Sequence, residues 1–339
     1  MVKGEKVRVG VIGCGYWGPN FIRNLVSIKS VDLVGVCDSD EGRLGKVLEG
    51  YPHLRGTPDT DELINSDGVD ALIIVTSAST HYELAKRAMT AGKHVFVEKP
   101  LSLKVAEGEE LVEIAREKGL VLMVGHLLIY HPAVERMKEY VDSGELGDIL
   151  YIYSQRLNLG KIRSDENCLW SIGPHDLSVM LYLLEEEPVE VAVHGMDYLQ
   201  RGVEDVIFCN LKFPDDVIAN LHISWLDPHK ERKITVVGNK KMLVFDDMLS
   251  SEKLRIYDKG VEEVDGYLSF ADSISLRFGD VLSPAVAMEE PLGRECLHFI
   301  DCVKEGSESL SGGEQGLKVL KVLEAAQRSL EQGGKPVSI

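Results

Sequence analysis

Three glycines near the start of the chain have the spacing Gly-x-Gly-x-x-Gly. They follow an apolar run of strand length, Val7–Ile12, and precede a segment with helical spacing. In that position the first glycine makes a tight turn, the second lets a pyrophosphate approach the backbone, and the third lets helix and strand pack closely. The pattern therefore predicts a dinucleotide-binding turn. Its predicted residues are Gly13, Gly15, Tyr16, Trp17 and Gly18.

An acidic residue, Asp38, stands at the end of the second predicted strand, about 20 residues after the last glycine. A carboxylate there accepts hydrogen bonds from the adenosine ribose hydroxyls and repels a 2′-phosphate. The sequence therefore favours NAD over NADP as the cofactor. Arg43 leaves the alternative open, because its guanidinium could help to bind a 2′-phosphate.

A lysine follows another predicted strand, in the tripeptide Glu98-Lys99-Pro100. Ligands of doubly wound sheets bind at the carboxyl ends of the strands, and Pro100 biases Lys99 toward an extended backbone. A lysine held beside a nicotinamide cation and away from water is expected to have a lowered pKa, which suits proton transfer. The alternative is a solvated lysine at a strand end.

A second candidate for proton transfer is His175, which follows Gly173-Pro174. Proline suits the first turn of a helix, so we expect a helix to begin near Pro174 and to project His175 toward a substrate. Imidazole is a natural general acid or base at neutral pH. Taken alone, such a histidine is more often a surface or core residue whose nitrogens are satisfied.

Four motifs together resemble the Gfo/Idh/MocA oxidoreductases, named for glucose-fructose oxidoreductase and inositol dehydrogenase. They are the glycine turn, Thr76-Ser77-Ala78-Ser79-Thr80-His81, Glu98-Lys99-Pro100 and Gly173-Pro174-His175-Asp176. The resemblance covers essentially the whole chain. It implies a two-domain NAD-dependent dehydrogenase whose second domain carries a large open sheet, often used for oligomerisation. Further cofactor contacts implied by it are Thr76, Ser77, His81, Glu98 and Lys99.

The same resemblance implies that Lys99 and His175 form the catalytic pair. Many members also have an aspartate four residues before that histidine, whereas this chain has Ser171. This difference argues against a full Lys-Asp-His arrangement. Asp176 is compatible with orienting a neighbouring group or with stabilising a helix start.

Several local stretches resemble the family branch that oxidises the 3-hydroxyl of nucleotide-linked sugars such as UDP-N-acetylglucosamine or its uronate. Guanidinium groups offer paired donors to a diphosphate, and asparagine amides can bind sugar hydroxyls. The substrate-binding candidates, besides Lys99 and His175, are His126, Tyr130, Arg156, Asn158, Arg163, Asn167 and Trp170. A free-sugar or inositol dehydrogenase and a non-catalytic NAD-sensing protein remain alternatives.

The elements that must position these residues fall into two patterns. Strands alternate with helices up to about residue 125, which predicts an α/β Rossmann domain over 1–125 with a parallel sheet. Long alternating runs then follow one another, which predicts an α+β domain over 126–339 with a large, mostly antiparallel open sheet. Residues Glu262–Glu290 are expected to include an exposed loop.

The predicted strands are Val7–Ile12, Val31–Cys37, Ala71–Val75, His94–Val97, Val121–Val124, Ile149–Leu157, Glu190–Met196, Val206–Phe213, Val217–Trp225 and Lys233–Val237. The predicted helices are Asn20–Ile28, Tyr82–Thr90, Ala106–Lys118, Pro132–Val141, Gly173–Leu184, Arg294–Val303 and Gly316–Leu330.

Composition limits the possible partners. The 339 residues carry a formal net charge of −18, which argues against binding to nucleic acid or to an anionic membrane. No apolar stretch is long enough to span a bilayer, and Met1–Lys6 has no signal-peptide core, so we expect a cytoplasmic protein. The six cysteines are expected to be buried, reduced thiols, no metal site is expected, and a homodimer or homotetramer is expected.

Overall fold

The computed structural model describes residues 6–160, 162–164, 166–263 and 274–339. The chain divides into two compact units. The first comprises the described residues up to Tyr130 together with Glu289–Lys321, and the second comprises His131–Met288 and Val322–Ile339. The first change of unit lies close to the predicted boundary at residue 125. The prediction differs in placing all of 126–339 in the second domain, because Glu289–Lys321 returns to the first unit.

The first unit contains a six-stranded parallel sheet. Its strands are β1 (Val7–Ile12), β2 (Val31–Cys37), β3 (Arg55–Thr57), β4 (Ala71–Ile74), β5 (His94–Glu98) and β6 (Leu122–Gly125). The spatial order is β3-β2-β1-β4-β5-β6, and all neighbouring strands are parallel. This is the order of a dinucleotide-binding doubly wound sheet, which switches direction between β1 and β4. The predicted Rossmann domain is confirmed.

Helices connect these strands. They are α1 (Gly18–Ser27), α2 (Glu41–Gly50), α3 (Thr60–Ile64), α4 (Ala78–Thr90) and α5 (Val105–Lys118). The sequence predicted α1, α4 and α5 but not β3, α2 or α3. In α2 only Leu44 and Val47 are buried, so its apolar pattern is weak. Its start is fixed instead by Asp40, whose side chain accepts hydrogen bonds from the backbone N–H groups of Gly42 and Arg43.

The second unit contains a nine-stranded sheet. Its strands are β7 (Ile149–Leu159), β8 (Glu190–Met196), β9 (Val206–Lys212), β10 (Ile218–Ser224), β11 (Leu226–Gly238), β12 (Met242–Asp246), β13 (Leu254–Glu263), β14 (Ile274–Leu282) and β15 (Val337–Ser338). The order is β14-β13-β12-β11-β7-β10-β9-β8-β15. Among the described strand pairs of this second sheet, β7 and β10 alone run parallel, which confirms the mostly antiparallel sheet.

Two helices, α6 (Pro132–Asp142) and α7 (Cys168–Leu184), belong to the second unit. The expected helix start near Pro174 is wrong, because α7 begins at Cys168 and Pro174 lies inside it. Asn167 caps the helix by accepting a hydrogen bond from the backbone N–H of Trp170. Most of α7 is buried and packs on β10, β7 and β9, so tertiary burial outweighs the backbone hydrogen bond that proline cannot donate.

The segment Glu262–Glu290 includes the expected exposed loop, at residues 283–290, but it also contains β14, which the sequence did not predict. The part of this segment in β14 pairs with β13, with Val261 opposite Leu276. Residues 264–273 lie outside the described residues. The sequence did not predict β14 because a strand with little alternation of apolar and polar residues is difficult to distinguish from a loop.

The chain returns to the first unit through α8 (Pro291–Glu305), and α9 (Gly313–Glu331) contributes residues to both units. The buried face of α8 includes Leu292, Cys296 and Phe299. It packs against α1, and the ring of Phe299 lies 5.7 Å from that of Phe96 on β5. Burial of this amphipathic face explains why a segment so late in the sequence belongs to the first unit.

All six cysteines are buried and free of disulfide bonds. No described helix has the length and hydropathy to cross a membrane. Within the described ranges, no group of three or more His, Cys, Asp or Glu side chains is arranged to hold a metal ion.

Candidate active site

The glycine turn between β1 and α1 has the geometry that a dinucleotide requires. Gly13 has a φ of +108°, and a Cβ atom on it would lie 2.4 Å from the carbonyl oxygen of Val75. A Cβ on Gly18 would lie 2.3 Å from the carbonyl oxygen of Gly13. By contrast, a Cβ on Gly15 would meet no atom within 4 Å. The first and third glycines are therefore required by packing, whereas the second leaves open space beside the backbone for a phosphate.

Asp38 completes this cradle. Its Oδ2 accepts a hydrogen bond from the backbone N–H of Cys14 at 2.7 Å, and its Oδ1 accepts one from Asp40 at 2.8 Å. Each carboxylate oxygen retains a lone pair for a ribose hydroxyl. The N-terminus of α1 has no side-chain cap and no acidic residue in its first turn, so its partial positive charge is available to a pyrophosphate. The residues present fit NAD.

The neighbouring side chains are more exposed. Tyr16 is 85% exposed and Trp17 is 36% exposed, so both can contact a bound molecule. Arg43 pairs with Asp40 at 3.3 Å on the surface. This weak surface pair leaves the alternative role of Arg43 toward a 2′-phosphate open.

His81 connects two segments at the carboxyl edge of the parallel sheet. Its Nδ1 lies 2.7 Å from the carbonyl oxygen of Pro100, and its Nε2 lies 3.2 Å from that of Thr76. The ring is almost fully buried, and burial lowers the pKa of His81, so it is neutral near pH 7. A neutral imidazole has a single N–H donor, so His81 donates a hydrogen bond to one of these two carbonyl oxygens and packs against the other, between the end of β4 and the segment that follows Lys99. These contacts give His81 a positioning role at the carboxyl edge of the sheet, and its contact with the cofactor stays a prediction.

Glu98 is the last residue of β5, where it pairs with Gly125 at the end of β6, and Lys99 follows it directly. The backbone N–H of Lys99 donates a hydrogen bond to Glu98 Oε2 at 3.1 Å. Burial raises the pKa of Glu98 to about 7, opposed by the positive charge of Lys99. Burial and, to a smaller extent, Lys99 lower the pKa of His126 to about 3, so His126 is neutral. A carboxyl that titrates near neutral pH beside a lysine is an arrangement suited to proton transfer.

Tyr130, a predicted substrate ligand, has its hydroxyl inside the first unit. The oxygen lies 3.0 Å from Nδ1 of His298 and 3.1 Å from Oγ of Ser311. The side chain is only 3% exposed. The Tyr130 hydroxyl is therefore bonded within the first unit, to residues of the segment Glu289–Lys321. It is not in an open position where a sugar could reach it.

In the second unit, a buried ion pair lies next to His175. Arg156 on β7 binds Asp176 on α7 through Nε to Oδ2 at 2.6 Å and Nη2 to Oδ1 at 3.0 Å. Burial opposes the charge of Arg156, but Asp176 outweighs it and the pKa of the guanidinium is raised. Two N–H groups of Arg156 are therefore occupied by Asp176 of the same chain. Only its other N–H groups remain for the predicted contact with a diphosphate. The pair fixes the helical turn that carries His175.

The other candidates of the second unit also have partners. The amide of Asn167, besides capping α7, donates to Glu204 and Gln327, and Trp170 Nε1 donates to the same Gln327 at 3.1 Å. Arg163 pairs with Glu166 at 2.7 Å. Asn158 is half-buried, and its Oδ1 is buried without a hydrogen-bond partner in the described part of the chain. Of these four side chains, Asn158 has the polar atom most in need of a ligand.

Two features of the site were not identified from the sequence. One is the pairing of Arg156 with Asp176, for which the sequence gives no spacing signal. The other is Glu295, a fully buried carboxyl on α8. The burial of Glu295 could have been predicted from the sequence. It lies one helical turn from both Leu292 and Phe299, so it falls on the apolar face of the helix.

Comparisons with known proteins agree with this geometry. A sequence model of the "Oxidoreductase family, NAD-binding Rossmann fold" matches residues 7–126, and one of the "GFO/IDH/MocA C-terminal domain" matches residues 134–244. Together the two matches span more than half of the chain. They confirm the predicted family, the Rossmann fold and NAD as the cofactor of this family.

Individual relatives carry different substrate names. The UDP-N-acetylglucosamine 3-dehydrogenase of Acidithiobacillus ferrooxidans is 29% identical, over 93% of this chain and 94% of its own length. The myo-inositol 2-dehydrogenase of Thermotoga maritima is 28% identical, over 96% of this chain and 97% of its own length. The solved structure of the former enzyme matches with a TM-score of 0.83 at 26% identity, covering 97% of this chain and 99% of that one.

Proposed function

Because the chain belongs to the Gfo/Idh/MocA family of NAD-binding oxidoreductases, we propose that it oxidises a secondary hydroxyl of a sugar. The specific proposal is the 3-hydroxyl of a UDP-linked N-acetylated sugar, with Lys99 and His175 as the catalytic residues. The observation that carries it is the position of Lys99 at the carboxyl end of β5, at the same sheet edge as the glycine cradle. When bound, NAD supplies the acceptor for the hydride of the alcohol.

The chain's own residues supply the remaining chemistry. The cradle of Gly15, Asp38 and the α1 N-terminus holds the dinucleotide, while Lys99 takes the hydroxyl proton. Glu98 lies beside Lys99 and titrates near neutral pH, so the local charge can change as the proton arrives. His175, held on α7 by the turn that contains Asp176, is the second group proposed to accept or donate that proton.

The nucleotide-sugar proposal is supported by the Acidithiobacillus relative and by Asn158, Arg163 and Trp170 near one another in sequence. Oxidation of inositol or a free sugar is the second candidate. The Thermotoga relative supports it at almost the same identity, and so does the pairing of Arg156 with Asp176, which removes donors from a diphosphate site. The two candidates share the chemistry and differ in the pocket.

A ligand panel distinguishes these functions. The protein with NAD present should show a higher melting temperature with UDP-N-acetylglucosamine than with UDP, N-acetylglucosamine or myo-inositol, and that compound should yield NADH. Stabilisation and NADH formation with myo-inositol alone would favour the second candidate. Binding of NAD without NADH formation from any sugar or polyol would contradict both and favour an NAD-sensing protein.

The cofactor preference gives a direct prediction. We expect tighter binding of NAD than of NADP, because Asp38 meets the ribose hydroxyls and repels a 2′-phosphate. Asp38→Ala should weaken NAD binding about tenfold or more, since it removes a charge-assisted hydrogen bond, and should reduce the preference. Fluorescence titration with both cofactors measures this. Asp32→Ala, an exposed acid on the same strand, serves as the control. Equal affinities in the unmodified protein would contradict the prediction.

We also propose that the protein self-associates through the open face of the nine-stranded sheet. Tyr151, Tyr153, Phe208 and Ile218 on β7, β9 and β10 are between 36% and 57% exposed, and the Tyr151 and Tyr153 rings stack on each other at 6.3 Å. An exposed apolar face of this kind normally forms an interface.

Light scattering at micromolar concentration should therefore report a dimer or tetramer. Replacement of Phe208 and Ile218 by glutamate should shift it toward monomer, because charges would be buried in the interface. The control is Val26→Glu, an exposed apolar residue on α1 in the first unit, away from this sheet face. A monomeric unmodified protein would show that this face is not an interface.

A further inference from the structure

One buried carboxyl group of the first unit has no part in the reaction proposed above. Glu295 is fully buried on α8, and among the described residues neither of its carboxyl oxygens has a hydrogen-bond partner. An ionised carboxylate in such a place is strongly unfavourable, so Glu295 is a neutral carboxylic acid that can both donate and accept a proton. Burial, together with the nearby charge of Glu98, raises its pKa well above the usual range.

Glu295 lies next to Glu98, the neighbour of Lys99. The rings of Phe96 on β5 and Phe299 on α8 are in contact, with centroids 5.7 Å apart. Glu98 follows Phe96 by two residues and so points to the same face of the strand. Glu295 precedes Phe299 by four residues and so lies on the same face of the helix. The two carboxyl groups therefore lie on the sides of β5 and α8 that face each other, close enough for the charge of Glu98 to raise the pKa of Glu295.

The second neighbour of Glu295 is a hydrogen-bonded pair of side chains, Tyr130 and His298, of which His298 is partly exposed to solvent. The turn Leu127–Tyr130 packs against α8, the helix that carries Glu295. After burial, the negative charge of an ionised Glu295 is the next cause of the raised pKa of Tyr130. The Tyr130 hydroxyl lies 3.0 Å from Nδ1 of His298. His298 is partly exposed, and burial lowers its pKa, so near pH 7 it is neutral and can accept a proton.

The other groups around this path do not provide a competing acid or base at neutral pH. His126, beside Lys99, is 2% exposed and neutral, with both ring nitrogens unpartnered within the described ranges. Burial raises the pKa of the Cys296 thiol well above its usual range. Arg294 pairs with Glu289 and also donates a hydrogen bond to the backbone carbonyl oxygen of Tyr130 at 3.2 Å, but a guanidinium does not release its proton near neutral pH. Glu290 pairs with Arg23 at the exposed start of α8.

We propose that Glu98, Glu295, Tyr130 and His298 form a relay that carries the substrate proton from Lys99 to solvent. The proposal rests on the proposed function. Oxidation of a secondary alcohol breaks one C–H and one O–H bond: the C–H hydrogen leaves with both electrons to the cofactor, and the hydroxyl hydrogen leaves as a proton. Lys99 takes that proton and must lose it before the next turnover, while substrate and cofactor cover it.

In the relay each group gives up one proton and receives one. Glu98 accepts the proton from Lys99 and passes it to Glu295, which releases its own proton through the Tyr130 hydroxyl to His298. Buried polar atoms without protein partners are generally hydrogen bonded to internal water, and such water can span the gaps on either side of Glu295. Glu295 and Tyr130 therefore carry the proton after it has left Lys99, and neither contacts the substrate.

First-turnover kinetics test the relay. NADH absorbance and proton release to a pH indicator in weak buffer are followed together, with a sugar that the unmodified protein oxidises. The two signals should rise in step in the unmodified protein and in Glu305→Gln, an exposed acid on the same helix. In Glu295→Gln, proton release should be about tenfold or more slower than NADH formation, because the amide cannot pass the proton on. Tyr130→Phe, which keeps the ring, should show the same lag.

A purely structural role of Glu295 would slow both signals equally, so signals that remain in step in both variants would overturn the relay. A second measurement needs no substrate. The unliganded protein near pH 7 should show an infrared carboxylic-acid band that disappears in Glu295→Gln. Absence of that band from the unmodified protein would also overturn the proposal. Failure of the proposed function is distinct, since it would appear as no NADH from any sugar with the infrared band intact.

Discussion

Lys99→Ala should lower kcat by about 10²–10⁴-fold, the usual contribution of a general acid or base. The variant removes the amine that we propose takes the hydroxyl proton. Binding of NAD should persist, because Gly15, Asp38 and the N-terminus of α1 hold the dinucleotide at other strands of the sheet. Initial rates with the preferred sugar and calorimetric titration with NAD measure the two effects separately.

Three further variants define the role of Lys99. Lys99→Arg should not restore activity, because a guanidinium does not release its proton near neutral pH. His175→Ala should lower kcat within the same range. Lys104→Ala should have no effect, since Lys104 is an exposed lysine paired with Glu107 on the same segment. Near-normal turnover in Lys99→Ala would assign the base to His175 alone.

The fold was predictable where burial repeats along the sequence. β4 is a run of apolar residues buried on both faces, and β1 and β2 each depart from that pattern at one polar residue, Arg8 and Asp32, so such runs have few other interpretations. β3 has three residues and α3 has five, so neither contains a full period of its pattern. The start of α7 was misplaced because the proline rule is local, whereas burial of the helix against the sheet is not.

The contrast between local sequence patterns and contacts that are distant in sequence applies to the site as well. The glycine turn was predicted with each glycine in its role, because the demands on Gly13 and Gly18 come from backbone atoms a few residues or one strand away. Side chains such as Tyr130 and Trp170 find their partners, Ser311 and Gln327, more than 150 residues later in the sequence. No spacing rule connects such positions, so a single sequence cannot assign those polar groups.

The buried ion pair beside His175 leads to the second large expected effect. The Asp176 side chain is 1% exposed, and Arg156 is 12% exposed, with two hydrogen bonds joining them. Removal of one partner of such a pair leaves an uncompensated charge in the interior, which typically costs about 3–5 kcal/mol. Asp176→Ala should lower the free energy of unfolding by that amount. Asp247, the other carboxylate that influences Arg156, compensates only part of the charge.

Urea denaturation of two further variants separates charge from packing. Glu145→Ala removes an exposed ion pair with Lys241 in the same unit, and should cost no more than about 1 kcal/mol. The double variant Arg156→Met with Asp176→Leu removes both charges and should recover most of the stability, because a buried pair replaced by apolar side chains is often neutral. A decrease of less than about 1 kcal/mol in the free energy of unfolding of Asp176→Ala would mean that hydration by solvent or the charge of Asp247 already stabilises the Arg156 guanidinium. In that case Arg156 would be available to an anionic substrate after all, and the diphosphate contact expected from the sequence would regain its support.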